Sequence, residues 1–173
     1  MQFKLGSLAA VALLASFGQA ILIPTGQENG VYTVSFDSNG NALETPKLIM
    51  PLNTTIRPAL ERRSGPILVD AWVQRGSANS INRNDFDEAW AQFDSLCDKG
   101  VTYPSSSAAW IIYNSAIAYM CNYSKSNRCW RSEYDESVAL EDIVSGPNQL
   151  GWVYTQTFDK SYGRDNAGAS ICE

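Results

Sequence analysis

No histidine occurs anywhere in the 173 residues. That removes every mechanism built on an imidazole base, Ser-His-Asp and Cys-His catalysis included, together with His-ligated metals. No cysteine precedes Cys97, and none of the four (Cys97, Cys121, Cys129, Cys172) stands in a CxxC pair, which argues against a metal or redox site. Cations are scarce. Against 18 Asp and Glu there are 13 Lys and Arg, for a net charge of −5 and an isoelectric point near 4.7. Gripping nucleic acid needs clustered cations to neutralise phosphate, and docking on anionic lipid makes a similar demand. Neither fits this balance. Long hydrophobic runs are also missing beyond the N-terminus, and a membrane span needs ~20 apolar residues.

What is present begins with a secretory pattern. Lys4 supplies a short positive region, LGSLAAVALLASF the apolar stretch, and Gly18 and Ala20 the small residues at −3 and −1. Residues 1–20 therefore read as a signal peptide, and the product is expected to be secreted and extracellular. An even cysteine count behind such a signal implies two disulfides. The sequons at Asn53 and Asn122 are candidate glycan sites in a secretory chain.

Composition changes at Arg62-Arg63. Residues 21–63 carry four basic and four acidic residues and no cysteine. Residues 64–173 carry eight basic and fourteen acidic ones, and all four cysteines. Pro51, Pro58 and Pro66 flank the pair and disfavour regular structure, which leaves the backbone open to a protease. The organisation expected is a signal peptide (1–20), a propeptide (21–63) ending at Arg62 and Arg63, and a mature disulfide-bonded domain (64–173). One stretch complicates this. Val31 to Phe36 alternates like a strand and Asn39-Gly40 is a hairpin signal, so the propeptide could pack on the domain or pair with a sheet edge.

In the mature part, Ile67 to Arg75 reads as a strand. Asn84 is the expected cap of a first helix carrying Phe86, Ala89, Trp90, Phe93 and Cys97 on one face, with Gly100 as its stop. Asn114-Ser115 reads as a tight turn between strands 108–113 and 116–123, favoured by β-branched and aromatic content over the alternative of a single buried helix. Ser132 to Asp135 resembles a capping box that opens a second helix ending near Ser145. Leu150 to Thr157 is a strand, Ser161 to Asn166 a polar loop, and Ala169 to Cys172 a short final strand. The fold class expected is α+β: a two-layer α/β sandwich with an antiparallel sheet and two helices on one face, in the order βαββαβ plus a short strand. That topology gathers Cys97, Cys121 and Cys129 at one edge and lets Cys172 reach Cys121. It favours Cys97–Cys129 with Cys121–Cys172, and leaves a local Cys121–Cys129 bridge open.

With AIAYMCNY, the cysteine in NRCW and the ending GWVYTQTFDKSYGRDNAGASIC, the chain resembles the fungal killer-toxin-like proteins and related small cysteine-rich secreted effectors of plant-associated fungi. The likeness covers about residues 67 to 172. It departs at Ile143-Val144-Ser145-Gly146, where such families often carry a further cysteine. The resemblance implies a toxin or effector acting by binding rather than catalysis. The implied partner is a protein of a host or competitor, with a cell-wall glycan or a second effector as the other options, and with later entry into host tissue conceivable. It implies no catalytic residue, no cofactor and no metal.

Three residues stand out as binding candidates. Tyr162 and Arg164 share the polar loop and belong to types enriched at binding hot spots, and Trp130 sits in a turn beside Cys129. The other tryptophans are expected mainly in the core. Glu133, Asp135, Glu136, Glu141 and Asp142 are expected to line a solvated helix face. Paired carboxylates, or a row of sugar-stacking tryptophans, would instead suit a minimal glycosidase or wall-binding module, which is the alternative function.

Overall fold

The computed structural model describes residues 20–52, Leu68 and residues 70–172. Arg62, Arg63, Asn53 and residues 1–19 of the signal segment lie outside the described residues. In chain order the elements are β1 (Ile21–Leu22), β2 (Gly30–Ser35), β3 (Lys47–Pro51), β4 (Ala71–Ser80), α1 (Arg83–Asp98), β5 (Thr102–Tyr103), β6 (Ser107–Tyr113), β7 (Ala116–Asn122), β8 (Asn127–Arg128), α2 (Arg131–Val144), β9 (Gln149–Thr155), β10 (Lys160–Asn166) and β11 (Ser170–Ile171). Seven strands form one antiparallel sheet in the order β3-β2-β6-β7-β10-β9-β4, and β1-β11 and β5-β8 form two small ladders.

The α+β class, the large antiparallel sheet and the two helices are present, but the architecture is richer than a two-layer sandwich. Apolar residues fill both faces of the sheet. On the helix face, Val31, Ala109, Ile111, Ala118, Met120 and Val153 meet Phe86, Phe93, Tyr134 and Val138 from α1 and α2. On the other, Tyr32, Val34, Trp110, Ile112, Ile117 and Tyr119 form a second core with Ile21, Ile23, Ile171 and Cys172 from the β1-β11 ribbon. One strand of the extra layer, β1, and two of the seven strands of the sheet come from residues 20–52, whose strand β2 pairs with β6 over six register positions.

Local chemistry explains the boundaries. Asn82, not Asn84, caps α1: its Oδ1 accepts from the N–H groups of Asn84 and Asp85 at 3.1 and 3.4 Å. Asn82 is the last extended residue, so only its side chain reaches back to those orphan donors. Gly100 follows α1 at φ +73°, a conformation glycine takes without cost. Helix α2 begins at Arg131, with Trp130 at the cap position and no side-chain cap bond, so the expected capping box is not used. Asn114 takes φ +50° in the β6-β7 turn.

The segment Ser161–Asn166 is not a loop. It lies within β10, between β7 and β9 in the interior of the sheet. Its polar residues are tolerated there because alternation sends Lys160, Tyr162 and Arg164 to the helix face, where α2 supplies acids. Lys160 Nζ donates to Glu133 Oε2 at 2.5 Å and to the Arg128 carbonyl at 3.0 Å. Tyr162 donates to the same Glu133 oxygen at 2.7 Å. Arg164 bonds Asp142, the carbonyls of Gly146 (2.8 Å) and Gln149 (2.7 Å), and lies 3.0 Å from Glu141 Oε2. Gly163 is required between them, since a Cβ there would meet the Tyr119 ring at 2.4 Å.

Two disulfides staple the layers. Cys97–Cys129 ties the end of α1 to the entry of α2, and Cys121–Cys172 ties β7 to the C-terminal end of the ribbon, across 32 and 51 residues of chain. Each closes a loop long enough to contribute about 3–4 kcal/mol through the unfolded chain's lost entropy.

Lys160 and Glu133 are both buried, and a buried charge stripped of its partner is costly. Lys160→Met should lower stability by about 3–5 kcal/mol, whereas Lys160→Met with Glu133→Leu should recover most of that loss. Urea unfolding of the two variants checks this. Additive losses in the double variant would contradict it.

Candidate functional site: an aromatic groove on the open face

Tyr162 and Arg164 are core residues, each 0% exposed. The candidate binding loop therefore does not exist as a surface, because β10 buries both side chains under α2. Trp130 is half-buried, with the Arg128 guanidinium 3.9 Å above its ring, and it shares no surface with Tyr162 or Arg164, because both of those are buried. Asn122 is buried. Its Nδ2 donates to the carbonyls of Pro104 (2.6 Å) and Lys125 (2.9 Å), and its Oδ1 accepts from Asn127. A glycan has no room on that nitrogen in the folded chain, which corrects the expectation for Asn122.

The acidic helix face is not solvated either. Glu133 and Glu141 are buried, and with Asp142 they hold β10. Burial drives the Glu141 carboxyl well above the ordinary carboxylate range, against the pull of Arg164. A second group joins the helices. Arg131 Nε lies 2.6 Å from Asp94 Oδ2 and 3.7 Å from Asp135 Oδ2, and the Trp90 indole N–H donates to Asp135 at 3.2 Å. The Asp94 contact is charge against charge without an aligned hydrogen bond. Burial, then Asp135, push the Asp94 carboxyl up to about 7, and Arg131 only partly offsets them. These acids are committed to partners inside the fold rather than set across a cleft, as glycoside hydrolysis requires.

The face opposite the helices is different. The β1-β11 ribbon covers it over β2, β6 and β7, while over β9 and β4 it stays open. There, Trp72 is 50% exposed. Register pairs Trp72 with Tyr154 and Gln74 with Trp152, placing all four side chains on the same side of the sheet. Trp72 and Tyr154 meet at 4.7 Å between ring centres and Tyr154 and Tyr123 at 5.9 Å, so the aromatics run in a row across the strands. Trp72, Tyr154, Tyr123, Trp152 and Asp159 line a depression of about 410 Å³. Beyond Trp152 a second depression of about 560 Å³ runs between Gln74–Asn79 of β4 and residues 165–170, which lead from the end of β10 into β11. Trp152 is the shared wall.

The polar groups of this groove are fixed in place. Tyr154 donates to Asp159 Oδ1 at 2.6 Å, and that bond, more than burial, pushes its hydroxyl up to about 12. Tyr154 therefore stays a neutral donor over the physiological range. Tyr123 and Ser161 share a hydroxyl contact at 3.2 Å. Apolar rings with a few oriented polar groups are the ordinary make-up of a ligand site. Among the described residues no group of three or more Cys, Asp or Glu is placed to hold a metal ion.

Sequence reasoning missed the groove, although part of its signal was there. Trp152 and Tyr154 are two residues apart on a strand and must share a face. Trp72 belongs beside them only through the β4-β9 register, a long-range fact. No family model, curated protein or solved structure matches this chain.

The raised Asp94 carboxyl makes stability depend on pH. The folded state holds this proton up to about 7, while an unfolded Asp releases it near ~3.9. The folded chain binds the extra proton between those values, so its contribution is complete below about pH 4 and is lost as pH rises through about 7. A shift of that size is worth about 4 kcal/mol unscreened, with the pull of Arg131 already included, and partial solvent screening brings the loss to on the order of 2 kcal/mol. Asp94→Asn should flatten that part of the urea-midpoint profile. An unchanged slope in the variant would contradict the assignment.

Proposed function

We propose that this chain is a secreted, disulfide-bonded protein of toxin or effector type, made as a proprotein and acting by binding a target of a host or competitor rather than by catalysis. The observation that carries the reading is the row Trp72–Tyr154–Tyr123 with Trp152, an aromatic surface left uncovered over β4 and β9. Aromatics of this kind supply most of the energy at binding surfaces. The lack of histidine and the internal pairing of the buried acids support a role without chemistry. The signal-like N-terminus, the disulfides and the likeness to killer-toxin-like proteins support an extracellular site of action. No helix among the described residues is long and apolar enough to cross a membrane.

A second reading, a wall-binding protein, draws on the same row. Flat rings flanked by the Gln74 amide and the Asp159 carboxylate suit the apolar face and hydroxyl rim of a sugar. The two readings share the surface and differ in the partner.

Trp72→Ala and Tyr154→Ala should each weaken retention on a solubilised or insoluble wall fraction of the target tissue by about tenfold or more, with Trp130→Ala within about twofold of the parent. Circular dichroism should be unchanged, since Trp72 is half exposed. Retention of purified chitin or β-glucan at the same level would favour the glycan partner, and loss of retention after protease treatment of the wall fraction would favour a protein.

A further inference from the structure

We propose that residues 21–52 are a sheet-completing chain that stays seated after scission at Arg62-Arg63, so that the processed protein is a non-covalent pair of polypeptides; this rests on the processing reading above. The propeptide expectation treats the segment as removable. Its contacts are those of a core element. Ile21, Ile23, Val31, Tyr32, Val34 and Phe36 are all buried. Strand β2 holds six consecutive register pairs with β6, from Gly30↔Ile112 to Ser35↔Ser107. Tyr32 stacks on Trp110 at 5.8 Å with the planes 11° apart. The Phe36 N–H reaches the Ser106 carbonyl at 2.8 Å, the Ile23 N–H reaches that of Ala169 at 2.9 Å, and Asn29 Oδ1 accepts the Asn114 N–H at 2.8 Å.

Removal of the segment would leave β6 as a bare edge strand and uncover Trp110, Ile112 and Ile117, which now sit within 1% of full burial. Such an edge invites aggregation. It would also strip β11 of its only ladder partner among the described residues, β1, beside the Cys121–Cys172 bridge. Scission itself disturbs none of these contacts. On one side of the cut Leu52 bonds the Asn29 carbonyl at 3.2 Å, and on the other the Leu68 N–H bonds Glu136 at 2.7 Å. Both described flanks are anchored on their own sides. No disulfide spans the cut, because all four cysteines lie downstream of it, so the attachment is entirely strand pairing and burial.

The test uses the full secreted chain cut at Arg62-Arg63 with a dibasic-specific protease, followed by gel filtration and native mass spectrometry. The expected result is one peak containing residues 21–63 and 64–173 in equal amounts, separating in urea but not on reduction alone. Free 21–63 beside a monodisperse, folded 64–173 would overturn the proposal. A second variant keeps the test specific: Val34→Asp should release the segment from the cut protein, while the uncut variant keeps its compact elution volume. Release from neither cut protein nor variant on gel filtration, with β2 amides unprotected in hydrogen exchange, would also overturn it. Denaturing intact mass of the producer's own protein separates this proposal from the reading it rests on. Two masses, Ile21–Arg63 and Ser64–Glu173, support both. The second mass alone overturns retention while processing stands, and a single uncut mass from Ile21 overturns processing.

Discussion

Helix α2 is registered on the sheet by buried charge. Lys160, Tyr162 and Arg164 point to one side of β10 and meet Glu133, Glu141 and Asp142 of α2. The spacings match. Lys160 to Arg164 is four residues of strand, roughly 13 Å, and Glu133 to Glu141 is eight residues of helix, about 12 Å. A slip of one turn of helix would leave a buried cation facing no acid, at a cost far above that of a misplaced methyl group. Hydrophobic contacts under α2 tolerate small shifts; this arrangement does not. The same rail fixes β10, and through β10 the strands on either side.

With the helix face spent on this rail and on the Asp94–Arg131–Asp135 contact between helices, the proposed recognition falls to the other face. Half of that face is sealed by the β1-β11 ribbon and the segment that carries β1 and β2. The other half keeps Trp72, Tyr154 and Trp152 in contact with water. The groove is thus bounded by the same ribbon that Cys121–Cys172 fastens down. In the proposed reading, stability and recognition are divided between opposite sides of one sheet, and a substitution in the groove need not disturb the charges beneath α2.

How far the sequence exposes this arrangement depends on the range of the forces involved. The α1 stripe Phe86, Ala89, Phe93, Cys97 is local and periodic, and it packs as its spacing implies. The Asn114-Ser115 turn is equally local, and the order of elements around it favours the cysteine pairing that forms while leaving a Cys121–Cys129 bridge open until the fold is known. The rail is not local. Lys-Ser-Tyr-Gly-Arg-Asp has the composition of a loop, and only acids 22 to 29 residues earlier make it a core strand. The acids of α2 mislead for the same reason, since helical acids usually face water and nothing near Glu133 or Glu141 in sequence announces a cation above them. The VYTVSF alternation in residues 31–36 does announce a strand, but neither its place beside β6 nor its burial is written in that segment. Trp72 departs from the core expectation for tryptophan, because burial of a Trp on an edge strand depends on which face the edge presents, and only the β4-β9 register decides that.

The account turns on recognition residing at the open face while the helix face only holds the fold together. The most direct measurement is the set of five tryptophan indole N–H signals in a ¹H–¹⁵N spectrum of the labelled protein, recorded as a solubilised wall fraction of the target tissue is added. The account predicts that Trp72 and Trp152 shift or broaden first, with Trp90, Trp110 and Trp130 unmoved. Movement of Trp90 or Trp130 with Trp72 and Trp152 stationary would place recognition on the helix side and contradict it.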